Sequence, residues 1–203
     1  MSEGQETEVK LYVQDLKRIE TSLNELGARL IQARVLEMNT RFDLPDAGLS
    51  AQKRVLRLRQ DTAARLTYKS GNKNDQGVLS REEIEFVVED FEKARQFLEA
   101  LGYQKLLYYE KYRATYELEE THIMLDELPY GNFVEIEGET TQSIQALTRQ
   151  LNLDPEAAAA TSYTGLFERL RRTLNLSFQD LSFANFAGIN VSASDLGVRV
   201  ADG

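Results

Sequence analysis

The stretch Glu6-Thr7-Glu8-Val9-Lys10-Leu11-Tyr12-Val13 decides how this chain is read. With a period of two, Glu6, Glu8, Lys10 and Tyr12 share one face, and Thr7, Val9, Leu11 and Val13 share the other, as in a half-buried strand. Three charges on one strand face, in the order minus, minus, plus, also make a chemical arrangement. Carboxylates two strand rises apart (roughly 6–7 Å) can hold a divalent cation, and a nearby lysine can meet a phosphate. For a single strand, a solvated outer face is the simpler account. Recurrence of the pattern changes the balance.

A shift of 75 places Glu8 on Glu83, Leu11 on Phe86, Val13 on Val88, Asp15 on Asp90, Leu16 on Phe91, Leu23 on Leu98, Leu26 on Leu101 and Gly27 on Gly102. Both copies read as a charged-faced strand, an aspartate-capped amphipathic helix and a Leu-Gly stop. The coincidence of cap and stop predicts one strand–helix unit used twice in a two-half architecture.

The other predicted strands sort their charges by sign. Arg57 and Arg59 oppose Leu56 and Leu58, Thr67 and Lys69 flank Tyr68, and Arg81, Glu83 and Glu85 oppose Ile84 and Phe86. Lys111 and Arg113 oppose Tyr112 and Ala114, Asp126 opposes Ile123 and Leu125, and Glu135 and Glu137 oppose Val134 and Ile136. Val35 to Asp43 reads as extended, Leu44 to Gly48 as a turn, and Ser70 to Gly77 as a polar, mobile hairpin end. This makes seven or eight strands. Helices are predicted after Asp15 and Asp90, over Thr140 to Asn152, from Pro155, and along Tyr163, Leu166, Phe167 and Leu170. Arg169, Arg171 and Arg172 flank that last stripe, as a solvated helix side or with one arginine closing over a site. Helices with apolar stripes should cover the apolar sheet face. The charged face is then an open α+β surface or the lining of a closed barrel. A solubilising face mixes signs, so paired arginines apart from paired glutamates favour a barrel with a basic, polyanion-binding wall and an acidic, metal-binding wall.

Composition bounds the alternatives. The 203 residues are 42% hydrophobic and 28% charged, enough for one domain with a sizeable core. Without cysteine there is no disulfide framework or thiolate metal site, and a single His122 excludes a multi-histidine zinc site within the chain. The lack of an 18-residue apolar run and of a leader pattern makes a cytoplasmic protein the expectation. A net charge of −9 speaks against non-specific nucleic-acid binding. The expected division is one main domain over residues 1–175 and, over 176–203, an appendage of unreadable role that packs loosely, docks on a partner or is disordered.

The opening E-T-E-V-K resembles the E-x-E-x-K signature of the CYTH superfamily, the triphosphate tunnel metalloenzymes. The resemblance continues through Asn39-Thr40-Arg41-Phe42-Asp43, Leu56-Arg57-Leu58-Arg59, Thr67-Tyr68-Lys69, Arg81 to Glu85, Glu110 to Arg113, Leu125 to Pro129, Glu135-Ile136-Glu137 and Ser162-Tyr163. It covers roughly residues 5 to 172. Many members carry a tyrosine at the position of Arg41 and an acidic residue at that of Asn39, so neither receives a role.

The resemblance implies a closed eight-stranded antiparallel β-barrel, an α+β fold with a charged lumen and helices packed outside. It implies Mg²⁺ or Mn²⁺ as cofactor, held by Glu6, Glu8, Asp126, Glu135 and Glu137, with Glu83 and Glu85 as further ligands or as partners of the basic side chains. Lys10, Arg57, Arg59, Lys69 and Arg113 would grip phosphate oxygens, with Arg81 and Lys111 also on the basic wall. Glu6, Glu8 and Lys10 of the signature are the catalytic candidates. The expected activity is hydrolysis of tripolyphosphate, thiamine triphosphate or a nucleoside triphosphate. Class IV adenylate cyclisation is the alternative, with Tyr12, Tyr68 or Phe42 as stacking candidates, and a non-catalytic polyphosphate sensor is the third reading. The expected partner is a small-molecule triphosphate, not nucleic acid or a membrane, with a homodimer left open.

Overall fold

The computed structural model describes the backbone of residues 5–75 and 78–203, and the side chains of 7–70 and 82–203. Eight strands carry the fold: β1 (Gln5–Val13), β2 (Arg29–Asp43), β3 (Val55–Gln60), β4 (Ala64–Asp75), β5 (Val78–Val88), β6 (Gln104–Leu118), β7 (Thr121–Leu128) and β8 (Gly131–Glu137). The helices are α1 (Leu16–Glu25), α2 (Gly48–Ala51), α3 (Phe91–Ala100), α4 (Thr141–Gln150), α5 (Tyr163–Thr173) and α6 (Ala193–Leu196).

The two predicted strand–helix units are β1–α1 and β5–α3. Asp15 and Asp90 cap their helices by accepting from the Arg18 and Lys93 amides, each at 3.0 Å. Both helices stop at a glycine with left-handed backbone, Gly27 (φ 79°) and Gly102 (φ 92°), a conformation in which a Cβ would be strained. The polar stretch read as a hairpin loop is strand on both sides: β4 runs to Asp75 and β5 resumes at Val78. Gln76 and Gly77 of that stretch lie outside the described residues.

Strand neighbours follow the order β1-β5-β4-β3-β2-β6-β7-β8, all antiparallel, and β1 also pairs with β8. Two corrections to the expected barrel follow. The first concerns closure along the wall. Among the described residues β1 meets β5 only through Gln5–Glu8 against Leu79–Glu82. Beyond Glu8 the same edge is taken by other backbone: Lys10 O accepts from Ala159 N (2.8 Å) and Tyr12 O from Ala201 N (2.9 Å), with bridges Leu11–Ala158 and Tyr12–Val200. Exposed strand edges need partners, and two irregular segments supply them where a cylinder would continue. The wall is a curled sheet zipped by a short seam, not a cylinder closed along its length.

The second correction concerns the helices. On the convex face α1 (Ile19, Leu23) and α4 (Ile144, Leu147) pack on Leu11, Ile123, Val134 and Ile136, while α3 packs on Phe42, Leu56 and Leu58 through Leu98. Helix α5 does not lie outside. Its Tyr163, Leu166, Phe167 and Leu170 cluster with Tyr12, Leu107, Tyr109 and Phe133, residues that alternate onto the same face as Lys10, Lys111 and Glu135. Ring pairs Tyr12–Phe133 (5.3 Å) and Phe133–Tyr163 (5.1 Å) fix the contact. The concave face is thus charged over one part and aromatic over another, because the apolar stripe of α5 is buried there.

Residues beyond 175 complete this end of the molecule. Leu181 and Leu196 are fully buried. Leu181 exchanges backbone hydrogen bonds with Tyr108 and Glu110, and Asp180 accepts from the Tyr108 amide at 3.0 Å. The Asp202 carboxylate accepts from the Gln14 and Asp15 amides. Among the described residues no helix is long and apolar enough to cross a membrane.

Candidate functional site

The concave face encloses a cavity of about 1020 Å³. Strand register fixes its acidic part. Glu8 on β1 lies directly opposite Glu137 on β8, and Lys10 lies opposite Glu135. The Lys10 ammonium is 2.5 Å from Glu8 Oε1 and 3.5 Å from Glu135 Oε2. Burial, the largest influence on the Glu135 carboxyl, pushes it upward, but Lys10, Arg113 and Lys111 outweigh burial and hold it well below the usual range. His122, on β7 and opposite Glu137, also lines this part.

The basic wall comes from β3, β4 and β6. Arg57 and Arg59 project inward from β3, Lys69 from β4, and Lys111 and Arg113 from β6. Glu85 braces both β3 arginines, at 2.9 Å from Arg59 and 3.5 Å from Arg57, and accepts from the Thr67 hydroxyl at 2.7 Å. Glu83 bridges to Lys69 at 2.9 Å. In this geometry both β5 carboxylates orient basic side chains, one of the two roles expected of them.

Asp126 is placed differently from a ligand-facing carboxylate. Fully buried, it takes two bonds from Arg113 (both 2.6 Å), one from Lys111 (3.0 Å) and one from the Tyr163 hydroxyl (2.7 Å). Its oxygens are spent on anchoring the cations. The side chains of Glu6 and Arg81, both sequence candidates, lie outside the described residues.

Two residues of β2 that carry no role in the sequence reading, Glu37 and Asn39, join the site. Glu37 is 3.5 Å from Lys111 and 3.6 Å from Arg59. Burial pushes its carboxyl upward, yet the charges of Lys111, Arg113, Arg59 and Arg57 prevail and hold it at about 2. Asn39, fully buried and paired in register with Arg59 and Tyr109, has no hydrogen-bond partner for either amide atom among the described residues. The available signal was alternation: Glu37, Asn39 and Arg41 share one strand face, as Arg57 and Arg59 do.

The residues fit a hard divalent cation by donor type. Carboxylates directly opposite across a strand pair repel each other, so Glu8 and Glu137, with Glu135 on the same face, call for positive charge between them. Lys10 supplies part of it. Among the described residues no three acidic side chains converge on a preformed metal cluster.

The family profile described as CYTH domain matches residues 4–163. The chain belongs to the CYTH domain family. A Methanocaldococcus jannaschii relative, named as a putative adenylate cyclase, is 28% identical over 172 residues, covering 79% of this chain and 97% of that one. Among solved structures, a protein of the same name from Vibrio parahaemolyticus superposes with a TM-score of 0.74 at 20% identity, covering 83% of this chain and 99% of its own. A Hippeastrum protein, described as a putative adenylyl cyclase with a dominant triphosphatase activity, superposes with a TM-score of 0.59 at 20% identity, covering 80% and 95%. At these identities the structures establish the fold. The CYTH match ends at Tyr163, so most of α5 and all of the C-terminal segment lie beyond it, although Thr164, Arg171 and Gln179 line the cavity.

Proposed function

We propose that this CYTH protein is a divalent-metal-dependent triphosphatase acting on a small-molecule triphosphate. The observation that carries the reading is the opposition, within one cavity, of Glu8, Glu135 and Glu137 to Arg57, Arg59 and Lys69. Phosphoryl transfer needs in-line placement and charge neutralisation more than covalent catalysis, and this lining supplies both signs. Guanidinium forks from Arg57, Arg59 and Arg113 grip non-bridging oxygens in pairs, and the lysine ammoniums act as point charges. Glu85, Asp126 and Glu37 hold those cations in place before substrate arrives. Glu8, Glu135 and Glu137 would hold Mg²⁺ or Mn²⁺, which when bound neutralises phosphate oxygens and lowers the pKa of a coordinated water. Water adds to the terminal phosphorus, the bridging P–O bond breaks, the bridging oxygen leaves with the remaining diphosphate, and a proton passes to solvent.

Cyclisation of ATP is the second reading, favoured by the names of relatives. It requires a seat for adenine. None of the sequence candidates provides one: Phe42 and Tyr12 are buried in apolar clusters, and Tyr68 alternates away from Lys69 onto the convex face. The tyrosines lining the cavity are Tyr109 and Tyr163, both buried, the former beside Arg57 and the latter bonded to Asp126.

Product analysis separates the readings. With ATP or tripolyphosphate and Mn²⁺, the proposal predicts phosphate release, with ADP as the nucleotide product. Cyclic AMP and pyrophosphate as main products would contradict it. Tight triphosphate binding without turnover, across metals and pH, would make the protein a sensor.

A further inference from the structure

Two buried tyrosines line the cavity, and their hydroxyls are differently engaged. Tyr163 on α5 donates to the Asp126 carboxylate at 2.7 Å, and burial together with the charges of Asp126 and Glu135 pushes its phenol well above the usual range. That proton is committed. Tyr109 on β6 accepts from the Arg57 guanidinium at 3.5 Å, and no acceptor takes its own O–H among the described residues. Backbone holds it on both sides, through register with Asn39 on β2 and a bridge to Leu181 of the C-terminal segment. Arg57 faces it from β3, Lys111 is two residues along β6, and Glu37 stands on β2. From the other elements come Tyr130, a neutral phenol pushed far above its usual range by burial, and the apolar stripe of α5. Burial pushes the Tyr109 phenol up, but Arg57 and Lys111 outweigh burial and Glu37 and bring it below the ordinary tyrosine value.

We propose that the Tyr109 hydroxyl is the general acid of this cavity, giving its proton to the bridging oxygen as the diphosphate leaves. The inference rests on the triphosphatase reading and adds a residue outside the charged walls. In phosphoryl transfer the bond to the leaving oxygen is largely broken before the new bond is complete, so charge gathers on that oxygen. Tyr109 stands beside Arg57, on the wall that grips the leaving diphosphate, and its O–H is free to donate. The water oxygen bonds to the terminal phosphorus, and the bridging P–O bond breaks with its electron pair on the bridging oxygen. That oxygen takes the Tyr109 proton, and the proton of the attacking water goes to solvent. Arg57 and Lys111 stabilise the phenolate until solvent returns its proton. The guanidiniums of the same wall are poor donors for this step. Burial lowers Arg57 and Arg113, but the surrounding acidic groups prevail and hold both above the ordinary arginine value.

The test uses the full-length protein with tripolyphosphate and Mn²⁺, as the wild type, as Tyr109→Phe, and with 3-fluorotyrosine installed at position 109. Tyr109→Phe should lower kcat about 100-fold, with KM held within about threefold. Tripolyphosphate should raise its melting temperature as much as that of the wild type, because grip on the substrate is kept. A general acid works only while protonated, so wild-type kcat should fall on the alkaline side as the phenol ionises. That limb should coincide with the phenolate ultraviolet band in a wild-type minus Tyr109→Phe titration, and should be absent from the residual activity of the variant. Fluorination makes the phenol more acidic and should move the limb to lower pH. Wild-type kcat in Tyr109→Phe, a rise in KM alone, or a limb that ignores fluorination would make the hydroxyl a mere seat for Arg57. Each of these overturns the inference and leaves the triphosphatase reading standing. No phosphate release by the wild type with Mn²⁺ or Mg²⁺ removes both.

Discussion

The units β1–α1 and β5–α3 are locally alike and globally unlike. They share a charged-faced strand, an aspartate cap with the same 3.0 Å bond, and a left-handed glycine stop. Their surroundings differ. Leu11 is fully buried, whereas its equivalent Phe86 is 53% exposed, and Ile84 and Val87 beside it are exposed too. Helix α1 buries Ile19 and Leu23, while α3 buries Leu98 alone. Glu8 is fully enclosed with Lys10, whereas Glu83 is only half-buried where it bridges to Lys69 on the basic wall. The difference shows that local chemistry sets each unit's shape, while neighbours set what the unit is for: the first is fastened into core and site, and the second braces the basic wall.

Equivalent substitutions should break this symmetry. Leu11→Ala should cost about 2–5 kcal/mol in denaturant unfolding, whereas Phe86→Ala should stay within about 0.5 kcal/mol. Equal losses would mean that the two strands are equally buried.

Acid should act through the site that the first unit completes. Glu37 has its carboxyl depressed from 4.5 to about 2, so its contribution is fully present above pH 4.5 and is lost as pH falls towards 2. That loss should amount to about 2–4 kcal/mol, and Glu37→Gln should flatten the stability profile over this window.

For activity, Glu8→Gln should reduce phosphate release on the order of 100-fold, close to 2.7 kcal/mol of barrier. Glu83→Gln, which weakens the seat of Lys69, should reduce it about tenfold. The smallest difference is expected at the caps. Asp15→Ala and Asp90→Ala should each cost about 1 kcal/mol, because both carboxylates meet the same kind of orphan amide. A cap effect confined to α1 would show that the resemblance between the units is superficial.

Much of this was legible in the residues. Alternation put Glu8, Lys10, Arg57, Arg59, Lys111, Arg113, Glu135 and Glu137 on one face, and cap chemistry fixed the starts of α1 and α3. Long-range decisions were not legible. Asp126 shares that face, yet only the approach of Tyr163 and two cations shows that it is an anchor. Helix α5 has an apolar stripe like those of α1 and α4, and nothing local says that it packs on the concave side. The path of Ala158–Ala159 and Val200–Ala201 along the edge of β1 is backbone pairing, which side-chain pattern does not encode. Glu37 escaped because the extended stretch around it was not read for its inward face.

The central claim is that opposed acidic and basic walls bind and cleave a triphosphate with the help of a divalent cation. The most direct measurement is phosphate release from tripolyphosphate, with and without Mn²⁺, by the wild type, Glu8→Gln and Arg59→Ala, each with its folding confirmed by circular dichroism. Metal-dependent release by the wild type and its collapse in both folded variants is the predicted result. Release that ignores metal, or that survives intact in both variants, would contradict it.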